Sequence, residues 1–131
     1  MITKTVFDLS EVLVQGLVGI EKQLSQILPV SEDEILSCFG GELLDEICIG
    51  NISEDTYLRT ILTEQGWNID ITELKAIIRN NFQEIVGTVP LLVHLSARYD
   101  IVLLSDHARE WVSHIKSVHS FWGAFEYTFF S

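Results

Sequence analysis

Two short stretches of the sequence place a carboxylate or a hydroxyl directly after an apolar run. Residues 6–7 are apolar and are followed by Asp8 and, two positions on, by Ser10. Residues 101–104 form a second apolar run, and Ser105 follows it. In open α/β sheets the active crevice lies at the carboxyl ends of the strands, so these groups are expected to converge. A lone carboxylate there is either a helix cap or a nucleophile, and the pattern alone leaves both interpretations open.

The strands and helices predicted on either side of these polar residues indicate an α/β fold. β-Branched residues predict a strand over 2–7. The continuous apolar run at 101–104 is typical of a fully buried, parallel strand, and a third strand is predicted over 126–130. About 90 residues separate the first two strands, whereas a parallel crossover needs only a dozen or more. We therefore expect an inserted helical subdomain over 14–87.

The remaining residues, 1–13 and 88–131, are expected to form an incomplete Rossmann-like core of about three parallel strands joined by right-handed crossovers. Apolar residues spaced by three and four predict a helix over 11–28. Capping residues predict the starts of further helices, and Pro90 suits the first turn of another over 90–98. These capping residues are Ser31, Ser53 and Asp70.

The composition limits the classes of partner. The 131 residues include 19 acids and 8 bases, a net charge of −11, which argues against binding to nucleic acid or to anionic membranes. No apolar run is long enough to span a bilayer. The two cysteines, Cys38 and Cys48, do not form a zinc-binding pattern, and we expect them to be reduced and buried. We expect a cytoplasmic protein that acts on a small molecule.

Four stretches of the chain resemble the haloacid dehalogenase (HAD) superfamily. "VFDLSEVL" resembles its motif I, an apolar strand followed by Asp-x-Asp, and "YDIVLLSDH" resembles motif II, an apolar strand that ends in Ser or Thr. "GNISEDTYLRTIL" resembles the helical cap of these enzymes, and "FWGAFEYTFFS" the approach to motif III. The resemblance implies a Rossmann-like parallel sheet with an inserted α-helical cap.

The resemblance also implies a function and a role for each site residue. Asp8 would be the nucleophile, forming an aspartyl intermediate with a phosphoryl group, and would bind Mg²⁺. The backbone carbonyl of Ser10 would also bind the metal, and Ser105 would bind the phosphoryl group. No residue is assigned to a further cofactor. The implied activity is a magnesium-dependent phosphatase of a small phosphorylated metabolite.

The sequence departs from this family at one position of motif I and at its C-terminal end. Ser10 replaces the second Asp, which acts as general acid, and losing such a group typically costs about 10²–10⁴-fold in rate. One alternative is therefore a catalytically impaired binding or assembly protein. A second is a 2-haloacid dehalogenase, because a leaving halide needs no proton.

The lysine of motif III and the acid pair of motif IV do not occur in the 131 residues, which predicts a C-terminally truncated chain. Without the motif IV strand, the first strand would become an exposed edge. We expect a homo-oligomer or a further C-terminal segment to cover that edge.

Overall fold

The computed structural model describes residues 4–9, 11–105 and 107–130. These residues form three strands, seven α-helices and one short 3₁₀ helix. The elements are β1 (Lys4–Phe7), α1 (Ile20–Leu24), α2 (Glu32–Cys38), α3 (Gly41–Cys48), α4 (Glu54–Gln65), α5 (Ile71–Asn80), α6 (Thr88–Ser96), β2 (Asp100–Ser105), α7 (Arg109–Val118), the 3₁₀ helix (Phe121–Ala124) and β3 (Tyr127–Phe130).

The three strands form one parallel sheet with β2 at its centre, in the order β1-β2-β3. Both pairings are parallel, which confirms the predicted α/β fold class. Right-handed crossovers that step in one direction are expected to place α6 and α7 on the same face of the sheet. On that face Ile101 and Leu103 are buried, whereas Val6 and Leu104, on the opposite face, are 62% and 59% exposed.

The predicted helix caps are confirmed. Each capping side chain accepts a hydrogen bond from a backbone N–H in the first turn of its helix, which satisfies a donor that has no partner within the helix. The bonds run from Glu34 to Ser31 (3.4 Å), from Thr56 to Ser53 (3.2 Å) and from Thr72 to Asp70 (2.8 Å).

The predicted helix over 11–28 is wrong for most of its length, because only Ile20–Leu24 is helical. Glu11 and Gly19 have φ of 63° and 116°, outside the right-handed helical region. Residues 13–15 instead pair with residues 83–85, through N–H···O bonds of 2.8 and 2.9 Å. The apolar spacing therefore reflects burial of this segment, and not helical periodicity.

Asn81, directly after α5, is hydrogen-bonded to the segment that precedes α1. Its buried side-chain amide donates to the carbonyls of Gly16 (2.6 Å) and Val18 (2.9 Å). A Cβ at Gly19 would lie 2.8 Å from Asn81 Oδ1, so this close approach needs glycine as much as its positive φ does.

One continuous apolar core joins the sheet to the helices between β1 and α6, and its largest side chains include Phe39, Tyr57, Phe82 and Trp111. The division into a core and an inserted cap therefore stays a prediction. Cys38 and Cys48 are partly buried, and not fully buried as expected. Among the described helices, none is long and apolar enough to cross a bilayer.

Candidate active site

Asp8 and Ser105 lie at the same edge of the sheet. Asp8 directly follows β1, and Ser105 is the last residue of the adjacent strand β2. The two strands run parallel, with Phe7 opposite Leu103, so their carboxyl ends meet. Asp8 is exposed and Ser105 is 5% exposed. The predicted site residue Ser10 lies outside the described residues.

The Asp8 carboxylate does not cap a helix. Its Oδ1 accepts a hydrogen bond from the N–H of the next residue, Leu9, at 2.7 Å, and the Leu9 side chain is fully buried. In the described residues after it, the first helix begins only at Ile20. Oδ2 accepts no hydrogen bond within the described part of the chain. The carboxylate is therefore oriented by its own turn, and Oδ2, which is not bonded among the described residues, is the oxygen that a substrate or a cation could contact.

Glu11, the next carboxylate along the chain, is used in the turn that follows. Its Oε1 accepts the N–H of Gly16 at 2.8 Å, and its own N–H donates to Val14 at 2.7 Å. The Glu11 carboxylate therefore bonds within its own turn, next to the segment that pairs with residues 83–85.

Two buried polar atoms near Asp8 have no hydrogen-bond partner within the described ranges: Ser105 Oγ and His107 Nδ1. Their residues are 5% and 6% exposed. Buried polar atoms in native proteins are nearly always hydrogen-bonded, so a pair without partners marks a place where a ligand or water completes the site. Sequence analysis identified Ser105 from the end of its strand but gave no role to His107.

The environment of His107 keeps its imidazole neutral. Burial lowers the pKa of His107 to about 4, while the Ala108 backbone and the charge of Asp8 raise it to a smaller extent. Phe82 and Trp111 pack edge-on against the imidazole, each with its ring centroid 5.7 Å away. The ring is thus uncharged at neutral pH, apolar on its flanks, and close enough to Asp8 to respond to that carboxylate's charge.

Two cavities meet at His107 and Cys48, which line both of them. The first has a volume of about 360 Å³ and is lined by Arg109 and Lys116, among others. The second, of about 240 Å³, has a mostly apolar wall that includes Phe82 and Trp111, with Glu11 at one side.

Helix α7 supplies residues to the first cavity on one face and to the core on the other. Trp111 and Ile115 are buried in the core, whereas Val112, also buried, lines the cavity. Arg109, Ser113 and Lys116 recur at spacings of four and three, which places them together on the exposed side of the helix. The amphipathic pattern that packs α7 against the core therefore also groups its two cations.

A buried carboxylate holds helices α4 and α5 against α7. Glu54 accepts two hydrogen bonds from the Arg79 guanidinium, at 2.7 and 2.8 Å, and one from Trp111 Nε1 at 2.6 Å. The Glu54 N–H in turn donates to Glu110 Oε2 at 2.6 Å. In the sequence Glu54 resembled an ordinary acid in a first helical turn, and no local signal identified its distant partners.

The described residues could hold Mg²⁺ only if water and substrate supplied most of its ligands. No group of three or more His, Cys, Asp or Glu side chains converges within residues 4–9, 11–105 and 107–130. Mg²⁺ is commonly held by one or two carboxylates, with water and substrate phosphate oxygens completing the shell. The exposed Asp8 carboxylate, with Oδ2 not hydrogen-bonded among these residues, suits that mode.

Comparison with known proteins identifies the fold. In sequence, the chain matches no family model and no curated protein. In structure, it resembles a HAD family enzyme from Bacteroides thetaiotaomicron solved with magnesium and inorganic phosphate, at a TM-score of 0.75 and 17% identity over 100% of this chain and 69% of that chain.

Two further solved structures extend the likeness. A predicted HAD-like family hydrolase from Porphyromonas gingivalis has a TM-score of 0.71 at 18% identity, over 100% of this chain and 67% of that chain. L-2-haloacid dehalogenase from Xanthobacter autotrophicus has a TM-score of 0.66 at 16% identity, over 98% of this chain and 56% of that chain. The fold is therefore that of the HAD enzymes, as the motifs predicted.

Proposed function

We propose that this chain is a HAD-like hydrolase, a magnesium-dependent phosphatase that acts on a small phosphorylated metabolite through an aspartyl intermediate. The observation that carries the proposal is the position of the exposed Asp8 carboxylate at the end of β1, beside the end of β2. There Ser105 Oγ is buried and has no hydrogen-bond partner among the described residues. Support comes from the fold, which it shares with an enzyme solved with magnesium and inorganic phosphate.

In the proposed reaction, an Asp8 carboxylate oxygen attacks phosphorus and forms an acyl phosphate. The bond between phosphorus and the leaving oxygen breaks, and that oxygen keeps the electron pair and takes a proton from solvent. Water then attacks phosphorus, which releases inorganic phosphate and restores the carboxylate. Ser105 Oγ–H donates to a phosphoryl oxygen in both steps. Mg²⁺ held by Asp8 and the Ser10 backbone carbonyl would neutralise charge on the phosphoryl group.

The absence of a carboxylic acid at Ser10 makes the proposed enzyme dependent on its leaving group. Glu11 does not replace it, since its Oε1 is bonded to the Gly16 N–H. Aryl phosphates should therefore react faster than alkyl phosphates, because a phenolate is a far weaker base than an alkoxide and leaves more readily without a proton donor. General acid catalysis is worth about 10²–10⁴-fold, which sets the expected size of that preference.

The presence of Ser10 in place of a proton-donating Asp also favours two other candidate functions. A binding or assembly protein with this fold needs no proton donor. A 2-haloacid dehalogenase releases halide, which needs no proton, and the fold is shared with L-2-haloacid dehalogenase. For all three candidates we propose a cytoplasmic location, since Cys38 and Cys48 suit a reducing compartment.

The test compares the wild type with Asp8→Asn and Ser10→Asp, using an aryl phosphate with Mg²⁺ and, in parallel, L-2-chloropropionate. The phosphatase proposal predicts phosphate release that Asp8→Asn abolishes and that Ser10→Asp increases for alkyl phosphates. Chloride release with no phosphate release would identify the dehalogenase. If the wild type releases neither product and only Ser10→Asp is active, the wild-type chain is the catalytically impaired form.

A further inference from the structure

The 360 Å³ cavity beside His107 has a charge opposite to that of the rest of the molecule. The chain carries 19 acids and 8 bases, yet two of those bases, Arg109 and Lys116, line this one cavity. No acidic side chain is among the described residues that line it. In a protein of net charge −11, a cavity whose described lining carries two cations and no acid is a place where an anion is locally attracted.

The position of Arg109 adds a second argument. As the first residue of α7 it stands at the positive end of the helix dipole, where a cation is unfavourable for stability. Among the described residues its guanidinium forms no ion pair. It lies instead against the turn after α3, where a Cβ at Gly50 would be 3.5 Å from the Arg109 guanidinium. An arginine that is placed against the helix dipole and forms no ion pair among the described residues is a candidate to bind an anionic ligand.

Lys116 and His107 connect this cation pair to the proposed reaction centre. Lys116 Nζ lies 5.6 Å from the centroid of the Trp122 ring, a cation–π contact that holds the ammonium in place. His107, two residues after Ser105, lines the cavity; it is buried, its Nδ1 has no hydrogen-bond partner among the described residues, and the charge of Asp8 acts on its imidazole. The cavity therefore adjoins the proposed phosphoryl site.

We propose that the substrate is a phosphate monoester that carries a second anionic group, bound in this cavity by Arg109 and Lys116. The inference rests on the proposed phosphatase function. The phosphoryl group lies at Asp8 and Ser105, and a carboxylate or second phosphate lies between the two cations. Arg109 presents paired N–H donors that match either anion, and a volume of about 360 Å³ suits a small metabolite.

Binding is measured by calorimetry in the non-hydrolysing variant Asp8→Asn, with Mg²⁺ present. The probes are 4-carboxyphenyl phosphate and its neutral isostere 4-carbamoylphenyl phosphate. The carboxylate compound should bind about tenfold more tightly, the size expected for a partly exposed charge-assisted pair. Adding Arg109→Gln or Lys116→Gln should reduce that ratio to near one, and Arg109→Lys should keep part of it. Benzene-1,4-diyl bisphosphate shows whether a second phosphate is preferred to the carboxylate.

The matched control is Arg98→Gln, the same change at an exposed arginine that does not line the cavity, and it should leave the ratio at about ten. Urea unfolding of each variant confirms that it is folded. A ratio near one in Asp8→Asn, or a ratio that survives Arg109→Gln, overturns the inference. If the ratio behaves as expected but the wild type hydrolyses neither compound, the anion site holds and the phosphatase proposal fails.

Discussion

The buried imidazole of His107 makes the stability of the fold depend on pH. Burial lowers its pKa from 6.5 to about 4. The unfolded chain therefore binds a proton at His107 between these values while the folded chain does not, so unfolding becomes more favourable as pH falls. The stability contribution is complete above about pH 6.5 and is lost as the pH falls through about 4. Taking these two values, lowering the pH from 7 to 5 costs about 2 kcal/mol through this one group.

The assay is urea unfolding at pH 7 and at pH 5, followed by far-ultraviolet circular dichroism, for the wild type and His107→Gln. Glutamine does not titrate, so the free energy of unfolding of the variant should fall by about 2 kcal/mol less than that of the wild type between the two pH values. The difference between the two proteins removes the contribution of every other titrating group that the substitution leaves unchanged.

His114→Gln is the control for this experiment. Burial also lowers the pKa of His114, and the charges of Arg79 and His119 add to the effect, but its partly exposed ring should contribute less than that of His107. The reasoning is refuted if His107→Gln loses as much stability between pH 7 and pH 5 as the wild type does. It is also refuted if His114→Gln removes the larger share of the pH dependence.

Three further substitutions test the packing around the site by urea unfolding at pH 7. Glu54→Gln removes the buried carboxylate charge that pairs with the partly buried Arg79 and should cost about 3 kcal/mol, whereas Asp55→Asn, an exposed acid on the same helix, should cost far less; equal losses would contradict the role of burial. Asn81→Ala removes one buried and one partly buried hydrogen bond and should cost about 2 kcal/mol, with faster proteolysis between residues 14 and 19. Tyr57→Phe removes the hydroxyl that donates to the Phe39 carbonyl at 2.5 Å and should cost about 1 kcal/mol; an unchanged midpoint would contradict that bond.

Features that depend on neighbours in the chain could be predicted from the sequence. The caps at Ser31, Ser53 and Asp70 are bonds between residues two or three positions apart, so they could be predicted in advance. The helix over 11–28 could not be excluded, because its apolar spacing is helical. Its replacement by pairing with residues 83–85 depends on segments about 70 positions away.

The sequence by itself determined the order of strands and helices, the parallel sheet and the positions of Asp8 and Ser105, since strand ends follow from a local change from apolar to polar residues. Only the tertiary structure decided that Asp8 caps no helix, that His107 is buried beside it, and that Glu54 binds Trp111 across 57 positions. These outcomes depend on which groups lose contact with water when distant segments pack. That desolvation lowers the pKa of His107, and the packing of α7 brings Arg109 and Lys116 to one cavity.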